Sequence, residues 1–317
     1  MINLAVLKQR MLAVDPGSAA FFLSKGIGDQ VPILCQLSNF ARLYGCNVTL
    51  FSKGGTLSAD LVDLFPSLRG RHVALAQEFF EGYSDDEMLY ALCDRGAPGP
   101  NRLFSTFRQL AVTEYSDIYR HWTNANQVRY NWFRIAWHYL GVGSEDGIEY
   151  VHLPQADASP AESDFVILCP RATTVGQLPV ELWTTLSSRI MQMGYRCIVN
   201  APISSRSDSA VFAPWQTQYS LDGLAEIGCE FFEGSMAELL ALAKRARHTY
   251  LIRTGMADLF SLTEGLSYSV LFPPSFAHMD KYLTLGYEGA ASKPKLEITV
   301  RDANAVNFDQ LTELLGA

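Results

Sequence analysis

The chain has 317 residues, 48% of them apolar and 18% charged, with 33 acidic against 25 basic side chains and a formal net charge of −8. That length suits two domains of about 150 residues each, and the apolar share excludes a long disordered segment. No run of Lys and Arg could track a phosphate backbone, so nucleic acid is not expected as a partner.

The six cysteines (Cys35, Cys46, Cys93, Cys169, Cys197, Cys229) form no C-x-x-C pair and have no His at zinc-ligand spacing. They read as buried thiols in a reducing compartment. The first seventeen residues lack a full signal-peptide core and a small-residue cleavage site, and no stretch of about 18 residues is continuously apolar. A cytoplasmic location is therefore expected, with peripheral membrane association left open.

In chain order, residues 19–24 form a short apolar run ending in Lys25-Gly26-Ile27-Gly28-Asp29, followed by a helical pattern through Val31, Leu34, Leu37, Phe40, Ala41 and Tyr44. Gly45 stops that helix and 47–51 supply a second strand, so the segment reads as β-α-β with parallel strands. Residues 57–64 and 72–76 repeat the unit. Helical patterns follow over 84–93 and 113–140, the latter rich in aromatic residues that suit a helix packed on the sheet better than a stacking site. Its His121 and His138 read as surface or core histidines, not ligands. Residues 141–163 turn to Gly, Ser, Asp, Glu and Pro, which predicts the linker there and domains spanning 1–155 and 156–317.

The second half restarts the rhythm. A buried strand at 165–169 precedes a loop, a helix over 179–193 opened by Pro179 and closed by Gly194, and a strand at 195–199. Strands at 229–232, 249–252 and 268–272 alternate with helices at 235–245, where Ser235 and Glu238 have capping-box spacing, and from about 256 to 264. The fold class is α/β: two Rossmann-like domains, with the ligand cleft expected between them.

In open parallel sheets ligands bind beyond the carboxyl ends of the strands. Three loops meet that condition. In the first, Lys25, Gly26 and Gly28 could approach an acceptor or a phosphate, but the full G-x-G-x-x-G is absent and nicotinamide binding is disfavoured. Asp29 is either a helix cap or a carboxylate able to take a proton from a sugar hydroxyl. In the third loop Arg253, Thr254, Gly255, Met256 and Asp258 bring a guanidinium and helix-start amides to one place, and Arg171 holds the matching position after the strand that opens the second domain.

These motifs resemble family 9 of the glycosyltransferases, the heptosyltransferase-like GT-B enzymes. Ile27-Gly28-Asp29 with Pro32 is similar to the family's G-D turn and proline-bearing helix. Cys169-Pro170-Arg171-Ala172, Leu178-Pro179 with Trp183, and Gly194-Tyr195 are similar to its H-P-G-[AS] loop, W-P-x-x-x-W helix and G-Y strand. Ser235-Met236-Ala237-Glu238-Leu239 and Leu271-Phe272-Pro273-Pro274 match later motifs, while Arg253-Thr254-Gly255 stands where the family has D-[ST]-G and Gln177 replaces a basic residue. The resemblance implies a GT-B fold and inverting transfer from a nucleotide-sugar donor to a glycan or other hydroxyl acceptor in polysaccharide or glycoconjugate biosynthesis. It further implies Asp29 as base, no required metal and no cofactor. Two alternatives stay open: a sugar-nucleotide epimerase, and a catalytically silent module that binds a sugar nucleotide or a partner.

Overall fold

The computed structural model describes residues 3–23, 26–54, 56–106, 132–143, 147–153, 163–171, 177–200, 221–273 and 290–316. They divide into two compact units, which part between Tyr150 and Val151.

The first unit opens with helix α1 (Leu4–Leu12), capped by Asn3, whose side chain accepts from the Ala5 N–H; it buries Leu4, Leu7 and Met11. Strand β1 (Ala19–Leu23) is buried at all five positions, as expected of a strand covered on both faces. Helices α2 (Ile27–Leu34) and α3 (Leu37–Tyr44) lead to β2 (Val48–Lys53); then follow α4 (Thr56–Asp63), β3 (His72–Leu75), α5 (Asp85–Leu92), β4 (Leu103–Ser105) and α6 (Trp132–Leu140). All pairings are parallel, in the order β3-β2-β1-β4. A core of Phe22, Phe51, Phe80, Leu89 and the apolar face of α1 fills one side of the sheet.

The expected single helix over 31–44 is two helices. Its ladder breaks because the Cys35 carbonyl accepts from the distant Glu149 N–H (2.7 Å) instead of the next turn. Gly45 then ends α3 in the left-handed region, at φ 58°. Of the aromatic stretch, 113–131 with His121 lies outside the described residues. Within α6, Phe133 and Tyr139 are core side chains, Tyr139 donating from its hydroxyl to the Ser105 carbonyl (3.3 Å), and His138 is exposed.

The second unit builds a six-stranded parallel sheet in the order β10-β9-β8-β5-β6-β7 from β5 (Phe165–Cys169), β6 (Arg196–Asn200), β7 (Glu230–Phe232), β8 (His248–Ile252), β9 (Tyr268–Phe272) and β10 (Leu296–Thr299). Its helices are α7 (Val180–Gln192), α8 (Asp222–Glu226), α9 (Met236–Arg245), α10 (Gly255–Ser261) and α11 (Phe308–Gly316). Pro179 is the residue before α7 and not its first turn, since its ψ of 141° is extended. Gly194, at φ 90°, stops the chain after that helix. Ser235 and Glu238 close the capping box of α9 in both directions.

Trp183, Leu186, Ile190, Leu311 and Leu315 pack one core with Val166, Leu168 and Tyr250. The C-terminal α11 is tied down by an Arg189–Asp309 ion pair and by the Tyr250 hydroxyl, which donates to the Leu311 carbonyl (2.5 Å). All six cysteines are free thiols, and all but Cys46 are buried. Among the described residues no helix is long and apolar enough to cross a membrane.

Candidate functional site

Strand order locates the crevices. In the first sheet the chain moves from β1 outward through β2 and β3, then returns to the other side of β1 with β4. The carboxyl ends of β1 and β4 therefore form the switch point at which open parallel sheets bind ligands. Gly26 to Asp29 follow β1 there, and Thr106 follows β4, its N–H donating to the Phe22 carbonyl (3.1 Å). Lys25 lies outside the described residues.

Gly26 occupies the cap position of α2, with φ −81° and ψ 158° and no side chain to bond the first turn. Among the described residues a Cβ there would touch nothing within 4 Å, so neither backbone angle nor their packing demands glycine. Gly28 and Asp29 are the second and third helical residues, both partly exposed, and the Asp29 N–H donates to the Gly26 carbonyl (3.0 Å). The reading of Asp29 as the cap is corrected: the cap is Gly26, one turn earlier. An acidic group in the first turn still gains from the partial positive charge of the helix start. Pro32 sits inside the same short helix and removes one ladder N–H.

In the second sheet the chain runs from β5 outward through β6 and β7, then returns to the opposite side of β5 with β8, and the switch point lies between β5 and β8. Their register ends at Cys169 opposite Leu251. Two residues beyond that pair, past the ends of β5 and β8, stand Arg171 and Arg253, so these neighbouring strands each lead into an arginine at the switch point.

Arg253 is anchored by its backbone, the N–H donating to the Leu271 carbonyl (2.8 Å). Its guanidinium is held end-on by Asp258, with Nη1 to Oδ2 at 3.1 Å and Nη2 to Oδ1 at 3.0 Å. The side chains are 20% and 7% exposed. Nη1 also donates to the Thr254 carbonyl.

Thr254 caps α10, its Oγ1 accepting from the Met256 N–H (3.2 Å), and its carbonyl takes the Ala257 N–H (3.0 Å). Of the helix-start amides expected to be free, those of Met256 and Ala257 are therefore already engaged by the cap. Gly255 is the first helical residue. Asp258 is not merely a helix-start residue but the counter-ion of Arg253, a pairing the sequence signals only through an acid five residues beyond a strand-end arginine.

A scan against protein-family models and a search of curated proteins each return no match. Solved structures do resemble the chain. Heptosyltransferase II of E. coli, an ADP-heptose LPS heptosyltransferase, aligns over 94% of this chain and 97% of its own at 11% identity and a TM-score of 0.51. The E. coli heptosyltransferase WaaC with ADP-2-deoxy-2-fluoro heptose aligns over 94% and 98% at 10% identity, also with a TM-score of 0.51. The fold is that of the GT-B heptosyltransferases.

TibC of enterotoxigenic E. coli, an iron-containing dodecameric glycosyltransferase, aligns over 81% of this chain at 12% identity and a TM-score of 0.48; the chain spans 58% of that protein's length. The expectation that no metal or cofactor takes part is withdrawn on this finding, since TibC and its ADP-D-β-D-heptose complex are both described as iron-containing. Among the described residues no three of His, Cys, Asp and Glu gather as a ligand set, so none of them is assigned to iron.

Proposed function

We propose that this chain is a nucleotide-sugar-dependent glycosyltransferase, with its first unit on the acceptor side and its second on the donor side. The observation that carries the reading is the paired register of β5 and β8, which brings Arg171 and Arg253 to the switch point of the second sheet. Two guanidiniums at that level suit the charge of a nucleoside diphosphate, the leaving group of such a donor. The GT-B fold is consistent with it.

In the proposed reaction the Asp29 carboxylate takes the proton of an acceptor hydroxyl. The acceptor oxygen bonds to the anomeric carbon as the bond from that carbon to the phosphate oxygen breaks, which inverts the anomeric configuration. The departing diphosphate keeps the bonding electron pair, and Arg171 and Arg253 stabilise its charge. Preorganised charge of this kind and a positioned base each contribute a few kcal/mol, or roughly 10²-fold or more in rate.

The test incubates the purified chain, as isolated and after addition of iron or another divalent cation, with nucleotide sugars and hydroxyl acceptors, and follows nucleoside diphosphate release and the product anomer. A glycoside of inverted configuration supports the proposal. An isomerised donor would make the protein an epimerase, and donor binding without turnover would make it a binding module.

A further inference from the structure

A guanidinium is planar and presents five N–H donors along three edges. In Arg253 the end-on edge, one N–H from each terminal nitrogen, is taken by Asp258. The remaining N–H of Nη1 goes to the Thr254 carbonyl. One edge with two parallel donors is left, formed by Nε–H and the outer N–H of Nη2, and among the described residues nothing engages it.

Four restraints act on this one side chain. Its backbone is fixed to β9 through the Leu271 carbonyl, its outer plane by the bidentate carboxylate, its inner corner by the Thr254 carbonyl, and its carboxylate partner is nearly buried in the first turn of α10. A flexible arginine loses side-chain entropy when it closes on an anion. This one has lost that freedom before the anion arrives.

We infer that Asp258 is a positioning residue for anion recognition: by occupying the end-on edge of Arg253 it turns the Nε–Nη2 edge into the two-donor fork that receives one phosphate of the nucleoside diphosphate. The inference rests on the donor-site reading of the second unit. It also changes how Asp258 serves the donor, through Arg253 and without touching the ligand.

The consequence runs against simple charge counting. Removing a carboxylate beside a cation makes the local field more positive and should tighten anion binding. If Asp258 sets the fork, its removal weakens binding in spite of that gain.

The experiment is calorimetric titration of the full chain with ADP, UDP, GDP, CDP and inorganic pyrophosphate, together with the nucleoside of whichever diphosphate binds best. Expected results are a loss of ten-fold or more in diphosphate affinity for Arg253→Lys and for Asp258→Asn, with nucleoside affinity unchanged. Asp258→Glu keeps the charge but moves the fork by one methylene, and should lose several-fold; it also serves if Asp258→Asn does not fold. Diphosphate binding that is equal or tighter in a folded Asp258→Asn or Asp258→Glu variant, while Arg253→Lys is impaired, overturns the positioning role and leaves the donor-site reading intact. Binding indifferent to Arg253→Lys, or no binding by the unaltered protein, overturns both.

Discussion

His248 begins β8 at the end of the sheet opposite the arginines, and only 1% of its surface is exposed. Both ring nitrogens meet hydroxyls, Nδ1 with Ser267 Oγ and Nε2 with Ser269 Oγ, each at 2.8 Å, and the ring packs edge-on against Tyr250 at 4.7 Å. A neutral imidazole uses one nitrogen as donor and one as acceptor, and two hydroxyls satisfy both. Burial, with a smaller contribution from the Lys295 cation, pushes its pKa down from 6.5 to about 4. The unfolded chain therefore binds a proton that the folded chain refuses between those two values. Stability is whole above pH 6.5, falls as the pH drops toward 4, and levels off below it. Linkage puts the loss at about 2 kcal/mol by pH 5 and about 3 kcal/mol once the folded group titrates. Urea unfolding at several pH values between 8 and 4.5, for the unaltered chain and for His248→Gln, isolates this contribution as the pH-dependent part of their difference. Parallel curves for the two proteins across that range would refute the reasoning.

Arg253→Ala should cost about 3–5 kcal/mol in urea unfolding, because it strands the nearly buried Asp258 carboxylate without its counter-ion; a loss under 1 kcal/mol would show the pair to be solvated. Asp29→Asn should lower the transfer rate about 10²-fold while changing stability by less than about 1 kcal/mol, since the cap of α2 is Gly26 and the amide keeps the shape of the first-turn side chain. Ser235→Ala removes one half of the α9 capping box and should cost about 1 kcal/mol in thermal or urea unfolding, with no effect on diphosphate affinity.

The central strands were readable because parallel strands covered on both faces must be continuously apolar. Strands β1, β5, β8 and β9 are each buried at five successive positions, and each lies within or against an apolar run of the sequence. The elements that the sequence reading omits lack that signal. Strand β4 is three residues long, and edge strand β10, Leu296 to Thr299, is only partly buried and includes a glutamate. Helix α1 is different: its Asn3 cap and the spacing of Leu4, Leu7 and Met11 are legible in the sequence. The break between α2 and α3 could not be read locally, because it depends on the Glu149 N–H reaching the Cys35 carbonyl.

At the site, sequence supplied the residues and topology supplied their relation. Arg171 and Arg253 each follow an apolar run, which any strand-end arginine does; nothing local says that β8 returns to pair with β5 and not with β7. That single topological choice creates the switch point and sets the strand ends that lead into the two arginines side by side in the sheet. The pairing with Asp258 is local in sequence, yet its meaning is not. On an exposed loop an arginine and an aspartate five residues apart would be a solvated pair of small worth. Here Asp258 lies in the first turn of a helix packed behind β8, so the same two residues become a buried, oriented fork. Burial decides whether the carboxylate is a spectator or the part that aims the charge, and burial of that turn is set by how α10 meets the sheet, a long-range property that the hexapeptide itself does not carry.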